Sequence, residues 1–91
     1  MEKKILEYLK RMREEHPDAV FLFRRGDEFY TMIGRDADIA RSRLGLPVEP
    51  LQIDADTSVK SASFPLSELD YKLPKLIRAG FRVAVCELPN V

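Results

Sequence analysis

Arg24, Arg25, Phe29 and Tyr30 are the residues whose types and spacing most suggest chemistry in this chain. Guanidinium groups neutralise phosphates, and aromatic rings stack on bases or wedge between them. Composition alone favours a plainer account, in which the aromatics are core residues beside a solvated charged turn. Catalytic constellations are scarcer. A nucleophilic cysteine needs a partner that stabilises its thiolate. Cys86 instead sits in an apolar run, and the single histidine, His16, precedes Pro17 as a helix terminator would. Asp54 and Asp56 lie in a proline-flanked stretch and read as turn formers. One Cys and one His do not make a zinc ligand set. No G-x-x-x-x-G-K-[ST] phosphate loop occurs. The expectation is a non-enzymatic protein with no cofactor and no metal.

The chain has 91 residues, 15 Lys and Arg against 15 Asp and Glu, and a formal net charge of zero. That length suits one domain, residues 1–91, with one modest core. Zero net charge argues against coating nucleic acid by bulk charge, while leaving room for a local basic patch. A lone cysteine cannot close an intrachain disulfide, so a stapled secreted scaffold is excluded. No apolar run approaches the ~18 residues of a membrane span, and the first residues form a charged amphipathic segment without an apolar signal core. These features predict a cytoplasmic protein with no membrane partner.

The elements follow from periodicity. Residues 2–15 predict a helix with Ile5, Leu9 and Met12 on its apolar stripe and Leu6 and Tyr8 widening it. Residues 19–24 form a short, β-rich apolar run, which predicts a strand buried on both faces. Residues 25–27 read as a turn, and 28–33 alternate, with Phe29, Thr31 and Ile33 facing one way and Glu28, Tyr30 and Met32 the other. Together they predict a hairpin. A helix over 36–44 ends at Gly45. Pro47 and Pro50 are expected to block regular structure before two strands near 51–54 and 58–63. A helix over 67–79, N-capped by Ser67 and carrying Pro74 inside, precedes a strand over 82–88 that Pro89 stops. The order α-β-β-α-β-β-α-β, with a hairpin and a helical crossover, predicts an α/β domain with a mixed sheet and about three packed helices.

Two blocks carry a resemblance. The run from Tyr8 through His16-Pro17, the apolar strand and Arg24-Arg25-Gly26-Asp27 resembles the opening of the N-terminal mismatch-recognition domain (domain I) of the DNA mismatch-repair protein MutS family. Phe64-Pro65, Leu73, Lys75-Leu76, Gly80 and Val83-Ala84-Val85-Cys86-Glu87 resemble a second run of that domain, and Asp36-Ala37 matches the helix between them. The likeness covers residues 8–88 in order. It implies a mixed α/β domain and a DNA-facing Phe-x-Glu motif, whose Phe wedges into the minor groove at a mispair and whose Glu hydrogen-bonds the base. A mispair unstacks and kinks easily, so a wedge favours it.

This chain departs from that pattern. It reads Gly26-Asp27-Glu28-Phe29-Tyr30-Thr31, one residue longer than the family before Asp36-Ala37. If Glu28 is the extra residue, Phe29 keeps the wedge position and Thr31 replaces the Glu. If the insertion lies further on, Glu28 stands at the wedge and Tyr30 at the Glu. Ser63 replaces the Gly of a Gly-x-Pro, and Leu66-Ser67 replaces a His after the Pro. The resemblance implies a module contacting duplex DNA, mismatched or distorted, with weak or altered mismatch preference. Phe29 would wedge or stack, Thr31 would be its hydrogen-bonding partner on the DNA, Tyr30 would join the DNA-binding surface, and Arg24 and Arg25 would meet phosphate. Ninety-one residues leave no room for the clamp and ATPase domains of MutS proteins. Weak binding is therefore expected, with a larger MutS-like or DNA-processing protein as a further partner. The alternative is a protein-interaction module that keeps the fold and has lost DNA recognition.

Overall fold

A computed structural model describes residues 2–87. Helix α1 spans Glu2–Glu15, strands β1 and β2 span Ala19–Arg25 and Phe29–Ile33, and helix α2 spans Arg35–Leu44. Strands β3 (Glu49–Gln52) and β4 (Ser58–Pro65) follow, then helix α3 (Leu69–Arg78) and strand β5 (Arg82–Glu87). The expected end of the last strand at Leu88, and Pro89 as its stop, lie outside the described residues. The sheet order is β3-β4-β2-β1-β5. β1 pairs with β5 in parallel, and the other pairings are antiparallel. The described residues thus form an α/β domain with three α-helices and a five-stranded mixed sheet, in the expected order.

β1 lies inside the sheet, between β2 and β5, and is apolar on both faces. Ala19, Phe21 and Phe23 point towards α1, where Ile5, Leu9, Ile33 and Cys86 complete one core layer. Val20 and Leu22 point the other way, where Tyr30, Met32, Ala62 and Phe64 meet Ala37, Ala40 and Leu44 of α2 and Leu76 of α3. Fully burying side chains of this size contributes about 1.5–3 kcal/mol each. Two apolar layers therefore hold the hairpin's strands from both sides.

Three details differ from expectation. Pro50 lies inside β3, opposite Lys60. β3 is an edge strand, so its proline needs no ladder partner on the outer side. Glu28 belongs to the turn and not to β2. Ser67 is not an N-cap: Leu66–Glu68 form a 3-10 turn, and α3 starts behind Glu68 without a side-chain cap. Pro74 does lie inside α3. It leaves the Asp70 carbonyl without its helical donor. Pro74→Ala is expected to raise the melting temperature, since proline costs up to about 3 kcal/mol against alanine in a helix interior. Differential scanning calorimetry checks this, and an unchanged or lower melting temperature counts against it.

The start of α2 is fastened to the sheet by a buried carboxylate. β2 leaves the sheet at Gly34, whose φ of +68 favours glycine. Beyond that point Asp36, fully buried, takes over part of the missing ladder: its Oδ2 accepts the Phe21 N–H at 3.2 Å. Arg13 of α1 lies 3.6 Å from the same oxygen and donates to the Ile33 carbonyl at 3.0 Å. Arg35 Nε stands 3.8 Å from Oδ1. One side chain thus ties α1, β1 and α2 together where the hairpin's second strand ends.

Burial pushes the Asp36 carboxyl above the ordinary Asp value, and the Phe21 N–H and the two arginines offset only part of that rise. A raised folded-state value means that the folded chain binds the proton more tightly than the unfolded one. This group's contribution to stability is therefore greatest below the ordinary Asp range and falls as pH rises through the folded value. Asp36→Asn keeps an oxygen acceptor and removes the charge. Its stability relative to the parent is expected to improve from pH 4 to pH 7, measured by denaturant melts. A pH-independent difference would contradict this.

Candidate nucleic-acid interface

Alternation along the hairpin separates Arg24 and Tyr30 from Arg25 and Phe29. Arg25 is paired with Phe29, and Phe29 with Pro65. These three form a row across β1, β2 and β4 on the α1 side of the sheet, beside the turn. Phe29 is 43% exposed, an unusual state for a phenylalanine in a sheet with two buried layers. Arg24 and Tyr30 pair with each other one position along and so project to the opposite face. Arg24 curls back over the turn, donating to the Gly26 carbonyl at 3.1 Å and to Asp27 Oδ1 at 3.1 Å.

Tyr30 and Thr31 are not surface neighbours of Phe29. Tyr30 is 8% exposed, its ring 5.6 Å from that of Phe64 in the core under α2 and α3. Thr31 is 1% exposed, and its hydroxyl meets the Ser63 hydroxyl at 2.9 Å. The expectation that both residues meet a ligand directly is revised. The double-faced core draws Tyr30 inward, and the position of Thr31 one row inside the sheet covers it.

The turn is anchored on both sides. Gly26 adopts φ +63, and the Leu66 N–H donates to the Glu28 carbonyl at 3.0 Å. Phe29 therefore leaves a fixed turn and stands against Pro65, whose φ of −62 is set by its ring. Sequence reasoning passed over two members of this surface, Pro65 and Ser63. The alternation of β4 carried the signal: Ser61, Ser63 and Pro65 share one face, and Ser63 is exposed there.

The residues weighed for catalysis do not converge. Cys86 is buried, and burial pushes its thiol up while a hydrogen bond with Tyr8 draws it back. His16 is exposed after α1. Asp54 Oδ1 accepts the Asp56 N–H at 2.9 Å, the geometry of a side-chain-closed turn. Among the described residues, no three His, Cys, Asp or Glu side chains are grouped to hold a metal.

The family model "MutS domain I" matches residues 3–90 of this chain. The chain belongs to the MutS domain I family. Relatives include the DNA mismatch repair protein MutS of Phocaeicola vulgatus, 45% identical over 76 residues, which cover 84% of this chain and 9% of that protein. Those of Bacteroides fragilis and Salinibacter ruber are each 47% identical. Their alignments cover 84% and 85% of this chain, and 9% and 8% of those proteins. The chain thus spans about a tenth of the length of these curated relatives. The MutS domain I match runs through both blocks quoted from the sequence and includes the hairpin and β4. Among the described residues no helix is long and apolar enough to cross a membrane.

Proposed function

We propose that this domain is a non-enzymatic module that binds duplex DNA through the hairpin end of its sheet, with Phe29 as the wedge or stacking residue. The observation that carries the proposal is the exposure of Phe29 in a row with Arg25 and Pro65, within a chain of the MutS domain I family. The relatives carry the name DNA mismatch repair protein MutS, and a domain of this family is suited to meet mispaired or distorted duplexes. Because Glu28 lies in the turn, an extra residue there leaves the β2 ladder intact. This supports the register in which Phe29 holds the wedge position and Thr31 stands where the family has Glu. Arg25 contacts phosphate from the Phe29 side of the turn and Arg24 from the other. Tyr30 and Thr31 act from inside the sheet, Tyr30 in the core of the opposite face and Thr31 one row inward beside Ser63. With the Glu replaced, mismatch preference is weak or altered. The protein is expected in the cytoplasm, where a larger MutS-like or DNA-processing protein would supply further contacts.

Fluorescence anisotropy with labelled homoduplex and single G·T duplexes tests this. Binding in the submillimolar range that weakens with salt supports the proposal, and no binding to either duplex refutes it. Arg25→Ala is expected to weaken both duplexes alike and to lower the slope of log affinity against log salt by about 0.9, the effect of one phosphate contact.

A second reading rests on a separate observation. Tyr71 and Ile77 of α3 and Val85 of β5 are 71%, 57% and 50% exposed, outside the row Arg25, Phe29 and Pro65. Exposed apolar groups of this size fit a protein-interaction module that has lost DNA recognition. Concentration-dependent self-association or partner capture that Val85→Lys abolishes, with no DNA binding, would favour that reading.

A further inference from the structure

We infer that Ser63 is the polar contact that accompanies Phe29 on DNA, and that Thr31 is the positioning residue that orients its hydroxyl. The inference rests on the DNA-binding reading above. Thr31 and Ser63 face each other directly across β2 and β4, and their hydroxyl oxygens are 2.9 Å apart. Phe29 and Pro65 form the next row on the same face, two residues along each strand. Rows on one face of a strand lie about 6.7 Å apart. Ser63, an exposed residue, therefore stands one row behind exposed Phe29, within the footprint of any duplex that seats the ring.

The pair is asymmetric, which gives the two hydroxyls different work. Thr31 is 1% exposed, so its hydroxyl reaches no ligand. Ser63 is exposed and can turn to a base edge or a phosphate oxygen. A hydroxyl offers one donor and two acceptor positions. With Thr31 occupying one of them, Ser63 is held at the strand and retains capacity outward. Depending on which hydroxyl donates to the other, the Ser63 group meets DNA as acceptor or as donor. A stacking ring has no hydrogen-bond preference of its own, so the polar term beside it sets which disrupted base pair is favoured.

Anisotropy titrations of Ser63→Ala, Thr31→Val and the double variant against G·T and homoduplex DNA test this. Ser63→Ala is expected to weaken the G·T duplex by about three- to tenfold, the loss of one hydrogen bond, and the homoduplex less. Thr31→Val should weaken it by a smaller factor. The double variant should bind like Ser63→Ala alone, because Thr31 acts through Ser63. A melting temperature for Ser63→Ala close to that of the parent separates this from a purely structural hydroxyl pair. Parental binding by Ser63→Ala, with Phe29→Ala impaired, overturns this inference and leaves the DNA-binding reading standing. Equal losses on both duplexes, or additive losses in the double variant, also overturn it. Failure of the parent to bind either duplex overturns both.

Discussion

Asp36→Ala is expected to lower stability by about 2–3 kcal/mol, with a fall in melting temperature of roughly 10–20 °C for a domain of this size. The reason lies in what the carboxylate leaves behind. The β1–β2 pairing ends at Phe23 and Thr31, so without Asp36 Oδ2 the Phe21 N–H is buried with no acceptor. An unsatisfied buried donor costs about 1–3 kcal/mol. Arg13 also loses its charged neighbour, a smaller effect because its side chain is 29% exposed and solvent screens the pair. Asp36→Asn keeps an oxygen acceptor and should lose far less. Denaturant melts of the three proteins decide the matter. An Asp36→Ala protein as stable as Asp36→Asn would show that the Phe21 bond is not what fastens α2 to the sheet. The same contrast reads on function, since a loosened start of α2 loosens the end of β2 and, with it, the hairpin.

Phe29→Ala is expected to weaken DNA binding by roughly ten- to a hundredfold, because stacking on one base is worth about 1–3 kcal/mol. Its stability should stay within about 1 kcal/mol of the parent, since almost half of the ring is already exposed. That combination distinguishes a contact residue from a core residue. Phe23→Ala, one row inward on β1 and fully buried, should do the reverse, costing about 3–5 kcal/mol of stability. If Phe29→Ala binds G·T duplex as the parent does, the hairpin end is not the contact surface.

The fold was largely legible in the residues, and the reasons are local. A five-residue apolar run, Ala19–Phe23, too short for a helix, had to be a doubly buried strand, and β1 is one. Gly45 ends α2 in the left-handed conformation that glycine tolerates. Periodicity was weakest where edges decide: Pro50 looked like a breaker because nothing in the sequence marks β3 as an edge strand. Ser67 looked like a cap because the 3-10 turn that precedes α3 leaves the same composition.

The candidate surface was half legible. Alternation in β2 correctly set Phe29, Thr31 and Ile33 against Tyr30 and Met32. It could not show that Phe29 in the last row is exposed while Thr31 one row inward is buried, because that depends on what packs over each row. Arg24 and Arg25 are neighbours in sequence and project to opposite faces, a consequence of strand geometry that composition hides. Ser63 was visible only as a departure from the family's Gly-x-Pro, and its value as a surface hydroxyl appears only once its partner across the sheet is known.

The central claim is that this MutS domain I chain meets duplex DNA with the row Arg25, Phe29 and Pro65. Titration of ¹⁵N-labelled protein with a short G·T duplex, followed by NMR, tests it most directly. The account predicts progressive shift changes confined to residues 24–31 and 61–66, centred on Phe29 and Ser63, with α3 and β5 undisturbed. Shifts centred on α3 and β5, or no shifts at submillimolar protein, would contradict it.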